Sequence, residues 1–137
     1  MSHDPTAAMI SVLLADDDVT FLKSLRALVE QQPRLSVVAM ARDGLEAIER
    51  VDELNPDAAI LDLHMPHLDG VTAIARLRHD HANLCLIALT GDPEPALHRA
   101  VEQAGADAVM LKDEILDGLH ERIVAVRRKR DATVGAA

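Results

Sequence analysis

Asp16, Asp17 and Asp62 are the residues of this chain best placed to do chemistry. Asp16 and Asp17 follow the apolar run Ile10-Ser11-Val12-Leu13-Leu14-Ala15, and Asp62 follows Ala58-Ala59-Ile60-Leu61. Short apolar runs of this kind read as buried strands, so each acidic group sits where a strand stops. In open α/β sheets, ligand sites lie at the carboxyl ends of strands. Carboxylates gathered there repel one another and raise one another's pKa. A bound divalent cation removes that repulsion, and Mg²⁺ takes oxygen ligands such as one or two carboxylates with phosphate and water. The pattern predicts a Mg²⁺-assisted site for phosphoryl chemistry.

The elements that must position these groups follow from periodicity. After a polar or small lead-in over 1–8, residues 9–15 form the first strand. Phe21, Leu22, Leu25, Leu28 and Val29 make a helical stripe, with Asp18 or Thr20 able to cap its start. Leu35 to Met40 read as the second strand. Asp43-Gly44 is a turn signal, and Leu45, Ile48, Val51 and Leu54 mark a second helix that ends before Asn55-Pro56. Asp57 to Asp62 form the third strand, followed by the loop His64-Met65-Pro66-His67-Leu68-Asp69-Gly70 and a helix marked by Val71, Ile74 and Leu77. Leu84 to Leu89 are the fourth strand, ending at Thr90-Gly91. Pro93 suits the first turn of the next helix, whose buried side is Ala96, Leu97, Ala100, Val101 and Ala104, with Gly105 as its C-terminal cap. Asp107 to Leu111 form the fifth strand, ending at Lys112. Ile115, Leu116, Leu119, Ile123 and Val126 define the fifth helix, which runs out near Arg127-Arg128-Lys129-Arg130, and the last seven residues read as a flexible tail. The expected organisation is a lead-in over 1–8, one domain over 9–130 and a tail over 131–137.

This alternation is a (βα)₅ order, α/β in class, with a doubly wound five-stranded parallel sheet covered on both faces. Right-handed crossovers bring all strand ends to one edge. Asp16, Asp17, Asp62, Thr90 and Lys112 all fall at those ends.

Composition narrows the options. The 137 residues suffice for one domain. Phe21 is the sole aromatic, so the core must be aliphatic. The net charge of −9 disfavours direct nucleic-acid binding, which needs a basic face. Cys85 is the only cysteine and reads as a small buried hydrophobe. No run approaches the roughly 20 apolar residues of a membrane helix, and the N-terminus lacks a basic region ahead of its apolar run. These features predict a cytoplasmic protein without membrane contact.

Four segments, in order, resemble the response-regulator receiver domain of bacterial two-component signalling: Val12-Leu13-Leu14-Ala15-Asp16-Asp17-Asp18, Leu61-Asp62-Leu63-His64-Met65-Pro66-His67-Leu68-Asp69-Gly70, Leu89-Thr90-Gly91, and Leu111-Lys112. The steps from 17 to 62, 62 to 90 and 90 to 112 fit as well, and the resemblance covers about residues 9 to 128. It implies a flavodoxin-like sheet in strand order 2-1-3-4-5. It implies that Asp62 accepts a phosphoryl group from a sensor histidine kinase or phosphotransfer protein. Asp17, Asp62 and the backbone carbonyl of His64 would hold Mg²⁺ directly, and Asp16 through water. Thr90 would donate its hydroxyl to a phosphoryl oxygen, and Lys112 would pair with Asp62 and then with the phosphoryl group. Helix four, strand five and helix five form the face such domains use to pair, so a homodimer there is a further expectation. The chain would then catalyse only its own phosphorylation and dephosphorylation.

Departures from the family pattern modify these expectations. Val109 stands on strand five where receivers often carry Phe or Tyr, which removes an aromatic switch coupled to Thr90. Asp113 follows Lys112 where many receivers have Pro, so a cis bond there is disfavoured. Lys-Asp at this point is similar to receivers linked to a helix-turn-helix domain; the chain reads as a stand-alone receiver or one separated from such a domain. His64, two residues past Asp62, and Gly91, next to Thr90, are placed to modulate the site, His64 by acting on the water that attacks the acyl phosphate. A competing reading is a Mg²⁺-dependent phosphatase of the haloacid dehalogenase type, but Asp62-Leu63-His64 lacks its second acid two residues after the nucleophile. The seven histidines do not form a zinc ligand set at the usual spacing. The Arg127–Arg130 run reads as the wet end of a helix.

Overall fold

The computed structural model describes residues 9–115 and 118–136, with side chains to Arg128. The lead-in over 1–8, Leu116, the side chains of Lys129 and Arg130, and residue 137 lie outside the described residues. Strands β1 (Ile10–Ala15), β2 (Leu35–Ala41), β3 (Ala58–Asp62), β4 (Cys85–Thr90) and β5 (Ala108–Leu111) alternate with helices α1 (Val19–Glu30), α2 (Gly44–Leu54), α3 (Gly70–Asp80), α4 (Pro95–Ala104) and α5 (Leu119–Ala136). All strand pairs are parallel and the sheet order is β2-β1-β3-β4-β5, as expected from the sequence.

The period of two along each strand divides the core into two layers. Leu13, Ala59, Leu61, Leu86 and Ala88 face one side, where they meet Ala47, Ile48 and Val51 of α2, Ala73, Ile74 and Leu77 of α3, and Val101 of α4. Val12, Leu14, Ile60, Cys85, Ile87 and Leu89 face the other, against Leu22, Leu25 and Val29 of α1 and Leu119, Ile123 and Val126 of α5. The central strands β1, β3 and β4 are therefore apolar except for Ser11 near the start of β1 and for Asp62 and Thr90, which end β3 and β4. The edge strands β2 and β5 are partly exposed.

Aspartates start α1, α2 and α3 at the site edge of the sheet. Asp18 accepts from the backbone N–H of Thr20 and Phe21, Asp43 from that of Glu46, and Asp69 from that of Thr72. Each satisfies donors that a helix N-terminus leaves open. Gly70 opens α3 because the backbone passes β3's exit too closely for a side chain: an added Cβ would lie 2.5 Å from Leu63 Cα.

Two elements differ from the sequence reading. Helix α4 starts at Pro95, with Glu94 as its cap, and Pro93 precedes it. Asp92 Oδ1 accepts from Glu94 N, which turns the chain before the helix can begin. Ala96 and Ala100 are exposed; only Val101 of α4 is fully buried, with Leu97 and Ala104 half-buried. Helix α5 starts at Leu119 rather than near Ile115. Gly118, with φ of 96°, breaks the helical path before it, although Ile115 still fills the core. Its backbone continues past Arg130 to Ala136.

Candidate functional site

Strand register gathers the polar strand ends. Ala15 pairs with Leu61, Asp62 with Leu89, and Thr90 with Leu111. One residue further on, Asp16 N donates to Ala41 O, Leu63 N to Leu89 O, and Lys112 N to Thr90 O at 2.9 Å. The carboxylates of Asp16, Asp17 and Asp62 converge there, each offering an oxygen within 4.8 Å of the others. Asp16 and Asp62 are buried and Asp17 is exposed, so the cluster opens to solvent on one side.

Lys112 is the cation of the site. Its Nζ lies 2.8 Å from Asp16 Oδ2 and 3.2 Å from Asp62 Oδ2. The sequence pointed to Asp62 as its partner; the nearer carboxylate is Asp16. The ring of Phe21 closes another side of the ammonium, with Nζ 4.6 Å from its centroid. Burial opposes the charge on Lys112, but the adjacent Asp16 and Asp62 carboxylates outweigh it and raise its pKa. Asp62 is also raised, first by burial and then by repulsion from Asp16. The His64 backbone N–H, 3.1 Å from Oδ1, and Lys112 oppose that rise.

The donor set suits a hard cation. Asp16 Oδ1 is occupied by Asp18 N at 2.9 Å. Asp16 Oδ2 is buried and has no directed hydrogen bond, only the ion-pair approach of Lys112. A buried anionic oxygen of this kind, beside two further carboxylates, fits the oxygen coordination that Mg²⁺ requires.

Thr90 is fully buried at the end of β4. Its Oγ1 accepts from Asp92 N at 3.0 Å and lies 3.3 Å from His64 Nε2. His64 therefore meets the site twice, through its backbone N–H on Asp62 and through its ring on Thr90. Gly91 is exposed, with open space around it, and Val109 is half-buried beside α4 and β4. The bond after Lys112 is trans, as are all described peptide bonds. Of the other described histidines, His67 lies on Asp43 at 3.1 Å, His79 on Asp80, His81 on Asp52, and His98 on the Asp92 carbonyl at 2.8 Å.

Sequence reasoning did not identify Phe21 as part of the site, nor the contact between His64 and Thr90. The first had a signal, since a lone aromatic four residues past Asp17 on α1 sits in the turn nearest the strand ends. The second joins side chains 26 residues apart and has no local signature.

An acidic cluster with a lysine, at the carboxyl edge of a sheet in order 2-1-3-4-5, defines a receiver-type module. The family model for the response regulator receiver domain matches residues 12–124, and the chain belongs to that family. It is 33% identical over 131 residues to a protein-glutamate methylesterase/protein-glutamine glutaminase of Carboxydothermus hydrogenoformans, a match covering 88% of this chain and 37% of that protein. It is 37% identical over 126 residues to the transcriptional regulatory protein PrrA of Mycobacterium leprae, covering 89% of this chain and 52% of that protein. Among solved structures it is similar to the signal receiver domain of the response regulator NarL from Mycobacterium tuberculosis. The TM-score is 0.83 and the identity 26%, over 88% of this chain and 98% of that one. The chain thus spans about a third to a half of these two curated relatives. Among the described residues, no helix is long and apolar enough to cross a membrane.

Proposed function

We propose that this receiver domain is a phosphorylation switch in which Asp62 accepts a phosphoryl group from a histidine kinase or phosphotransfer protein. The observation that carries the reading is the meeting of three carboxylate oxygens within 4.8 Å, one of them on Asp62, with Lys112 Nζ 3.2 Å from that same aspartate. A carboxylate oxygen of Asp62 attacks phosphorus, an acyl phosphate bond forms, and the bond to the donor's histidine nitrogen breaks. Burial and the Asp16 charge make the Asp62 carboxylate more basic and so a better nucleophile. Lys112, already beside Asp62, moves to the phosphoryl oxygens and offsets their charge. Asp17, Asp62 and the His64 carbonyl would hold Mg²⁺, with Asp16 through water, and the ion would supply further charge neutralisation to the transferring group.

The switch follows from Thr90. Its hydroxyl turns from His64 toward a phosphoryl oxygen, and the loop bonded to it through Asp92 N moves with it. Helix α4 buries little, so a modest gain in differential binding shifts it. Val109 leaves no strand-five aromatic to carry the signal, so the response proposed here runs through the Thr90 loop to α4 and the β5 edge, the face that would also pair two copies.

Incubation with acetyl phosphate and Mg²⁺, followed by intact-mass measurement, tests the proposal. A gain of one phosphoryl group, absent in Asp62→Asn and in chelator, is expected. Asp17→Asn should require at least about tenfold more Mg²⁺ for the same labelling. Labelling that persists in Asp62→Asn, or turnover of many equivalents of a phosphate ester, would contradict it.

A further inference from the structure

Phe21 is the sole aromatic residue of the chain, and the structure places it on the one lysine of the site. We infer that Phe21 is a positioning residue for phosphoryl transfer, its ring face holding the Lys112 ammonium over Asp62 before and after the phosphoryl group arrives. This rests on the reading of Asp62 as phospho-acceptor.

The argument starts from competition for the ammonium. Asp16 Oδ2, at 2.8 Å, is nearer than Asp62 Oδ2, at 3.2 Å, and lies deeper. When Asp62 becomes an acyl phosphate, its charge moves outward onto the phosphoryl oxygens, while Asp16 stays in place as the nearer anion that the ammonium must leave. Lys112 is 26% exposed, so water is a second destination. The attraction of a ring face for a cation depends on the ring quadrupole and not on the state of Asp62. It therefore opposes collapse onto Asp16 and escape to solvent alike.

The ring is itself held in place. Asp16 Oδ1 accepts from Asp18 N at 2.9 Å, and Asp18 Oδ1 accepts from Thr20 N at 3.0 Å and Phe21 N at 3.2 Å. The helix start that carries the ring is thus tied to the same aspartate that pairs with Lys112. The rest of the Phe21 side chain packs on the core layer shared by α1 and α5. Asp18 thereby links two of the groups that meet the ammonium, Asp16 and Phe21.

Two measurements on the full chain test this. In the unphosphorylated protein, NMR should show the ε-methylene protons of Lys112 shifted upfield by the ring, relative to Lys23, and the shift should vanish in Phe21→Leu. With acetyl phosphate and Mg²⁺, Phe21→Leu should label about three- to tenfold more slowly, the range of a partly desolvated cation–π contact. Phe21→Tyr keeps a ring face and should stay within about twofold of wild type by the same contact. Asp18→Ala, which frees the helix start without altering the ring, should reduce the upfield shift and slow labelling less than Phe21→Leu. Leucine preserves apolar packing and helix propensity, so equal rates in wild type and Phe21→Leu would overturn the inference. Equal slowing in Phe21→Leu and Phe21→Tyr would overturn it too, by assigning the effect to packing. Absence of labelling in wild type itself would instead overturn the assignment of Asp62, and the inference with it, while the NMR shift would still report the contact.

Discussion

Replacing Asp62 with asparagine should stabilise the metal-free protein, although it removes one partner of an ion pair. At an effective dielectric of about 20, Lys112 at 3.2 Å attracts the Asp62 carboxylate by about 5 kcal/mol. Asp16 and Asp17, each with an oxygen within 4.8 Å, repel it by at least about 3.5 kcal/mol apiece. Repulsion wins by about 2 kcal/mol before the cost of burying the charge is counted. Asparagine has nearly the same shape and can still accept from His64 N, so a net gain of about 1–2 kcal/mol is expected. For a domain of this size that corresponds to a rise in Tm of about 3–8 °C. The chain has no Trp or Tyr, so urea unfolding is followed by far-UV circular dichroism, in chelator at neutral pH. The sign of the pH dependence is fixed by the raised Asp62 pKa. Its folded state holds a proton more tightly than its unfolded state, so its contribution to stability is greatest below the ordinary value of 3.8 and is lost as pH rises through the folded pKa. The advantage of asparagine should therefore shrink on acidification. On the proposed metal site, saturating Mg²⁺ should also close the gap by stabilising the folded wild type more than the asparagine variant. An asparagine variant less stable than wild type in chelator at neutral pH would refute the claim that these oxygens crowd one another.

Three further outcomes are expected. Lys112→Met should destabilise the metal-free domain by about 2–4 kcal/mol, because Asp16 and Asp62 then face each other without a cation; urea midpoints measure this, and an unchanged midpoint would contradict the geometry. Arg78→Ala should cost about 3–5 kcal/mol by the same assay, since Arg78 pairs with Asp107 at 2.7 Å and binds the carbonyls of Gly105, His81, Ala82 and Leu84. His64→Ala should change the rate of phosphate loss from labelled protein, followed by the decay of the phosphorylated mass, because its ring contacts Thr90; unchanged decay would remove His64 from the chemistry.

Receiver architecture was legible in the sequence because its signals are local. Strands β1, β3 and β4 are buried on both faces, so their runs are apolar without alternation and their ends are marked by the first polar residue. Parallel β/α alternation then brings Asp16, Asp17, Asp62, Thr90 and Lys112 to one edge, because all five strands run the same way. Helix α4 was less legible, because Pro93 and Pro95 both suit a first turn and the hydrogen bonds of Asp92 and Glu94 decide between them. Chain order thus determined which residues share the carboxyl edge, a matter of periodicity and parallel strand direction. The nearer pairing of Lys112 with Asp16, the Phe21 ring over its ammonium, and the His64 contact with Thr90 were decided only in three dimensions. Each depends on how side chains from separate elements pack at a common edge, and spacing along a chain does not encode distances of a few ångström across it.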